Sequence, residues 1–223
     1  IMSLITTTSS NTTTSVTKKP NNSEYPLQKN YRPTNKYNYN LTKILSFKDM
    51  TTRQRYQIKK EFNERIEKFK INDLEFKDLL FDLYTNRPSL KSLQLETKVI
   101  GKKKVLAIAE VLKENTTLKY LDLSFNKIGD YGVIALAEAL KNNTTLKKLG
   151  LFCNQIGSNG AEALAEALKS NKSLKNLSLG NNYKITDNGK RALAEALKFN
   201  NTLVSLELSR VERNLFNQIQ AKL

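Results

Sequence analysis

Side chains that carry catalysis or bind metals are scarce in this sequence. The 223 residues contain no histidine and one cysteine, Cys153. Histidine-based acid–base catalysis, Ser-His-Asp and Cys-His nucleophiles and histidine metal ligation are therefore absent. A single cysteine forms no internal disulfide and builds no thiolate metal site. Because there is also no phosphate loop of the G-x-x-x-x-G-K-[ST] type and no visible convergence of carboxylates, we expect no enzymatic activity and no cofactor.

Residues that could bind a partner recur at a fixed spacing. The phrase L-x-x-L-x-L begins at Leu90 and returns every 28 residues, with a last step of 29 that ends at Leu203. In a short strand the fourth and sixth residues of this phrase point inward, so the third, fifth and seventh lie on the open face. We predict that the partner-binding residues are Tyr120, Asp122, Lys148, Phe152, Glu96, Gln94, Asn176 and Glu207. Tyr120 and Phe152 are the best anchors because aromatic residues dominate binding hot spots, although one exposed aromatic residue per unit is also ordinary.

The second residue of four successive phrases is a lysine: Lys91, Lys119, Lys147 and Lys175. Adjacent strands lie about 4.8 Å apart, so we predict a basic rim along one edge of the sheet. Unit charges this close repel by roughly 0.9 kcal/mol in water. An acidic partner would explain the row, and duplication of one ancestral unit explains it equally well.

The net charge of +16, from 37 Lys+Arg and 21 Asp+Glu, biases the chain toward acidic or phosphorylated partners. Our first hypothesis is a non-catalytic interaction module or scaffold that holds a protein partner on the open face of the sheet. The alternative is binding of nucleic acid or another acidic surface through the basic rim, a basic helix face from Arg53 to Lys68, and the N-terminal tail. That alternative predicts affinity that falls steeply with salt.

Proline and glycine divide the chain near residue 89. All four prolines precede residue 90 and all eight glycines follow residue 100. Residues 1–44 are rich in Ser, Thr and Asn, which predicts a disordered tail. Residues 45–89 predict a helical N-terminal cap, in which Thr51 and Gln54 form a capping box. Residues 90–223 predict the repeat domain, closed by a C-terminal capping helix that begins after Ser209.

The second half of each repeat predicts a helix packed on the strand, with small alanines that allow close approach. Asp130, Ser158 and Thr186 stand where N-caps belong, and helices must stop at Asn115, Asn143, Asn171 and Asn200. Asn126, Asn154 and Asn182 follow the strands at equal spacing, and we expect their side chains to donate hydrogen bonds to backbone carbonyls of the adjoining turn. Each repeat leaves its leucines uncovered on one side, so stacking is obligatory.

The phrases LKYLDLSFNKIGDYGVIALAEALKNNTT and LKKLGLFCNQIGSNGAEALAEALKSNKS resemble leucine-rich repeats of the ribonuclease-inhibitor-like class. The resemblance covers residues 90 to about 208 and implies an α/β, right-handed curved solenoid. In such a solenoid parallel strands form the concave side, helices form the convex side, and the surface binds proteins. Tropomodulin-like actin-capping modules and Ran GTPase-activating modules share this repeat class. No diagnostic motif of either is matched here, so the partner's identity stays open.

No stretch approaches the roughly 20 apolar residues that a membrane-spanning helix needs. The apolar residues near the start are too few for a signal peptide. We therefore expect an intracellular protein, in the cytoplasm by preference and with the nucleus as the alternative. We also expect a monomer.

Overall fold

The computed structural model describes residues 50–97 and 100–208. The predicted tail at residues 1–44 and the predicted C-terminal capping helix lie outside the described residues. Eleven helices and strands occur in the described part: α1 Thr52–Glu67, α2 Leu74–Tyr84, β1 Ser92–Gln94, α3 Gly101–Leu112, β2 Tyr120–Asp122, α4 Gly129–Asn142, β3 Lys148–Gly150, α5 Ser158–Ser170, β4 Asn176–Ser178, α6 Asp187–Leu197 and β5 Ser205–Glu207. From β1 onward strands and helices alternate, as the change from period two to period 3.6 predicts.

The five strands form one parallel sheet in chain order. Tyr120 pairs with Lys148, and Lys148 pairs with Asn176, so equivalent residues of successive phrases stand side by side. The central leucine of each strand is at most 7% exposed, and each packs between its neighbours in one continuous core. The predicted leucine-rich-repeat fold is therefore confirmed. Its stability depends on stacking, because burying a leucine stabilises by about 1.5–3 kcal/mol while surface pairs contribute far less.

Two ladders of buried asparagines hold successive repeats together. In the first, Asn154 donates from Nδ2 to the carbonyl of Leu123 at 2.9 Å, and its Oδ1 accepts from the backbone N–H of Asn126 at 3.0 Å. Asn126 and Asn182 make equivalent bonds, which confirms the predicted polar seam. The second ladder consists of Asn115, Asn143, Asn171 and Asn200. The sequence predicted these residues only as helix ends, whereas their amides also bridge adjacent repeats.

The predicted N-cap position is confirmed for Thr186 and wrong for Asp130 and Ser158, which lie inside their helices and bond to the neighbouring repeat. Asp130 lies inside α4, and its Oδ1 accepts from the backbone N–H groups of Gly157 and Gly160 at 2.6 and 3.1 Å. The Ser158 hydroxyl accepts from the Thr186 N–H at 3.0 Å. Thr186 is the N-cap residue of α6 but makes no side-chain capping bond. Stacking brings the start of the next helix within reach of each side chain, so the cap also links neighbouring units.

Helices α1 and α2 cover the first repeat, as predicted. Thr51 and Gln54 form the capping box, and Phe62 and Ile66 on α1 are buried against α2 and the repeats. Arg65, predicted on an exposed basic face, instead turns inward. Its guanidinium binds Glu110 at 3.2 Å and forms two hydrogen bonds with Glu114, at 2.8 and 2.9 Å. Arg65 thus fastens the N-terminal cap to α3.

A Glu–Lys ion pair at i,i+3 lies on the outer face of each of the four helices α3 to α6. Glu110 differs from its counterparts because it also binds Arg65 and Lys68. Burial pushes the pKa of Glu110 upward, but hydrogen bonds from Arg65 and Lys113 outweigh burial and leave that pKa lowered. The hydrogen bond from Arg65 lowers the pKa of Glu114.

Replacing Arg65 by alanine is expected to lower the free energy of unfolding by about 1–2 kcal/mol at pH 7, since Glu110 loses a half-buried partner while exposed Glu114 contributes little. Both glutamates have lowered pKa values in the folded state, so their stabilisation is present above the unfolded pKa of about 4.3 and disappears as the pH falls through the folded values. The difference between wild type and R65A should therefore shrink in acid. Urea denaturation at neutral and acidic pH measures both effects.

Arg53→Ala is the matched control, because Arg53 is exposed on the same helix. It should change stability by less than about 0.5 kcal/mol at either pH. Equal losses for the two variants would contradict the role given to Arg65.

Candidate functional site

The face of the sheet turned away from the helices, called the concave face below, carries a central group of exposed aromatic and charged side chains. Tyr120 is 40% exposed, and its strand neighbour Lys148 places Nζ 5.4 Å from the centre of the Tyr120 ring. The direct register between β2 and β3 brings the two together. A cation over an aromatic ring is favourable, so each side chain restrains the other.

Phe152 packs beside a second aromatic residue that the alternation rule missed. The rings of Phe152 and Phe125 lie 5.2 Å apart at 52°. Phe125 is 49% exposed and has a positive φ of 59° in the turn after β2. That backbone conformation is unfavourable for a bulky residue, and it breaks the in–out alternation that extended strands follow. One feature of the sequence indicated this role: Phe125 is an aromatic residue at a turn position that Cys153 and Asn181 occupy in the next two repeats.

A glycine on the neighbouring repeat leaves room for the Phe152 ring. A Cβ atom on Gly180 would lie 2.8 Å from Cδ2 of Phe152, so no larger residue fits there without moving the ring. The ring is therefore held between Phe125 and the Gly180 backbone. We call Tyr120, Phe125 and Phe152 the aromatic cluster.

Two of the predicted acidic residues of this face, Asp122 and Glu207, accept hydrogen bonds from serines of the same chain. Oδ1 of Asp122 accepts from the Ser124 N–H at 2.9 Å and from the Ser124 hydroxyl at 2.6 Å. Glu207 accepts from the Ser178 hydroxyl at 2.8 Å. The remaining predicted residues lie on the flanking strands and their ends: Gln94 pairs with Asp122 and is exposed, Glu96 is exposed on the first repeat, and Asn176 pairs with Lys148 and is half-buried.

The four predicted rim lysines form the expected row at the edge where the strands begin. The carbonyl of Lys91 accepts from the N–H of Lys119, that of Lys119 from Lys147, and that of Lys147 from Lys175, each at 2.8 Å. Lys91 and Lys175 are exposed, and Lys119 and Lys147 are half-exposed. The row includes no member of the aromatic cluster, although the N–H of Tyr120 donates to the Lys91 carbonyl at 3.1 Å.

Within residues 50–97 and 100–208, no group of three His, Cys, Asp or Glu side chains is placed to hold a metal ion. No helix in the same residues is long and apolar enough to cross a membrane. Cys153 is half-exposed and free. The geometry thus presents binding surfaces, namely an aromatic cluster and a lysine row, in the part of the chain that the structure describes.

Comparison with known proteins identifies the repeat array. The family model of the TMOD/LMOD leucine-rich domain matches residues 72–221. A solved structure of leiomodin-1 actin-binding site 2 has 26% sequence identity and a TM-score of 0.61, covering 66% of this chain and 86% of that chain. The tropomodulin C-terminal domain of Caenorhabditis elegans has 13% identity and a TM-score of 0.59, covering 66% of this chain and 89% of that chain, and shows the shared fold. No curated protein sequence matches.

These comparisons distinguish between the modules that share this repeat class, because they match the tropomodulin type. The match spans the second helix of the N-terminal cap and all five strands. The repeat array is accordingly a protein-interaction domain, and this chain belongs to the family of TMOD/LMOD leucine-rich domains.

Proposed function

We propose that this chain binds actin through its leucine-rich domain, with the aromatic cluster of the concave face as the central contact. One observation carries the proposal: the domain shares 26% identity with the actin-binding site 2 of leiomodin-1 over 86% of that structure. The role is that of a binding module, with no catalytic step.

The aromatic cluster suits a binding anchor because Tyr120 and Phe125 are exposed, Phe152 is half-buried, and all three are held in place. Tyr120 is restrained by Lys148, and Phe152 is restrained by Phe125 and the Gly180 backbone. Side chains that are already ordered lose little conformational entropy on association. The strands beneath them are fixed by the buried leucines, so the cluster forms a preorganised surface.

The charges on the concave face favour a partner that binds by apolar packing over one that is attracted by the positive net charge of the protein. The open positions of the strands carry Lys148 as their one cation, beside Glu96, Asp122 and Glu207. The excess positive charge of the protein therefore lies elsewhere. Binding through the aromatic cluster should weaken only modestly as salt rises, because apolar contact is not screened.

The test is a titration of purified, fluorescently labelled monomeric actin with the full chain, from about 0.05 to about 0.2 M salt. We expect saturable binding whose affinity changes by less than about tenfold across this range. Absence of binding would overturn the proposal. Loss of about 1,000-fold or more would assign the interaction to the basic surfaces instead.

A further inference from the structure

The two edges of the sheet differ sharply in charge. Five loops lead from a helix or from the cap into a strand: residues 86–91, 113–119, 141–147, 169–175 and 198–204. Together these loops carry ten Lys or Arg residues and one acidic residue, Glu114. The described loop residues at the opposite edge are 94–97, 100–101, 122–130, 150–158 and 178–187. They carry two lysines and four acidic residues. We call the first set of loops the lysine rim. Of the two edges of the sheet, only the lysine rim carries a large excess of positive charge.

Half of the basic residues on the lysine rim have no acidic partner among the described residues. Arg87 binds Asp82, the helix-end lysines pair with glutamates one turn earlier, and Arg65 neutralises Glu114. No ion pair is found within residues 50–97 and 100–208 for the others, which are Lys91, Lys119, Lys147, Lys172 and Lys175. Four of these five, Lys91, Lys119, Lys147 and Lys175, form the row on successive strands. Uncompensated positive charge is therefore concentrated in a line.

Exposed apolar side chains continue the line past its last lysine. Val204 occupies the row position in the fifth repeat, where its N–H donates to the Lys175 carbonyl at 2.8 Å, and its side chain is 70% exposed. Phe199 is 66% exposed, and its carbonyl accepts from Lys172 Nζ at 3.2 Å. A row of cations that ends in two exposed apolar groups is the combination found on proteins that lie at a bilayer surface.

We propose that the lysine rim docks on a bilayer of anionic phospholipids. The unpaired lysines contact the headgroups, and Phe199 and Val204 enter the interfacial region. The row offers one uncompensated lysine on each of four successive repeats, and lysines near an anionic leaflet each add to the attraction. Single-stranded nucleic acid requires aromatic rings interleaved with the cations, and the described loops of this rim carry one, Phe199, beyond the last lysine. The concave face remains open when the rim is docked, so this proposal does not depend on actin binding.

Co-sedimentation of the full chain with vesicles tests the proposal. Vesicles of phosphatidylcholine with about one third phosphatidylserine should bind the chain at about 0.15 M salt, and pure phosphatidylcholine should not. The triple variant Lys119→Ala/Lys147→Ala/Lys175→Ala should weaken binding about 100-fold, since each lysine is worth about fivefold. Phe199→Ser/Val204→Ser should also weaken binding, and this variant keeps the net charge.

Lys59→Ala/Lys103→Ala/Lys184→Ala is the matched control, because it removes the same charge from exposed lysines outside the lysine rim. Circular dichroism verifies that every variant is folded. Near wild-type binding of the control variant supports docking by the rim. Equal losses for the two triple variants, or no preference for phosphatidylserine, would overturn it. Rim-dependent binding to a single-stranded RNA or to polyglutamate, without vesicle binding, would also overturn it and assign the rim to that ligand.

Discussion

Replacing Tyr120 and Phe152 together by alanine is expected to weaken actin binding about 1,000-fold, with little loss of stability. Truncating a central aromatic anchor typically costs about 2 kcal/mol, so two anchors cost about three orders of magnitude. Both side chains lie on the concave face, above strands whose leucines form the core. A binding titration with monomeric actin, alongside urea denaturation of both proteins, measures the two effects separately.

The matched control is Tyr131→Ala/Tyr183→Ala, because these tyrosines are 71% and 86% exposed but lie away from the concave strands. The control should bind actin within about threefold of wild type. If the control variant lost affinity while the Tyr120/Phe152 variant did not, the concave placement would be wrong even though actin binding stood.

Replacing Asn143 by alanine is expected to lower the free energy of unfolding by about 3–5 kcal/mol. Its Nδ2 donates to the carbonyls of Leu112 and Asn115 at 2.7 and 2.9 Å, and its Oδ1 accepts from the N–H groups of Thr145 and Leu146. Asn143 is 2% exposed, so water cannot replace these bonds. The loss of several buried bonds at once explains the size of the effect.

Asn142→Ala is an unusually close control, since Asn142 is the preceding residue and is exposed at the end of α4. It should change stability by less than about 0.5 kcal/mol. Denaturation curves of both variants, monitored by circular dichroism, measure the two changes in the free energy of unfolding. A loss below about 1 kcal/mol for N143A would contradict the asparagine ladder as a main support of stacking.

The repeat predicted most of the fold, because identical spacing constrains several levels at once. When the same phrase returns every 28 residues, equivalent residues must pair across strands, as Tyr120, Lys148 and Asn176 do. The same spacing placed Asn154 in a buried column. These contacts join corresponding positions of successive repeats, which is why the repeat pattern alone predicts them.

Features that depend on contacts between non-corresponding residues of the cap and the repeats were not predictable in the same way. Arg65 has the helical position of a surface residue, and only the docking of α1 on α3 brings it to Glu110. Asp130 has the sequence position of an N-cap, yet stacking places its carboxylate at the start of the next helix. Phe125 joined the aromatic cluster because of a left-handed turn. In each case a spatial neighbour, not local sequence, decides the role of the residue.

Hydroxyl-radical footprinting of the actin complex tests the proposed interface most directly, because it reports the exposure of individual aromatic side chains. We predict that saturating actin slows oxidation of Tyr120, Phe125 and Phe152, while Tyr131 and Tyr183 react at the rates of the free protein. Protection of Tyr131 or Tyr183, with Tyr120 and Phe125 as reactive as before, would place actin on another surface and contradict the proposed interface.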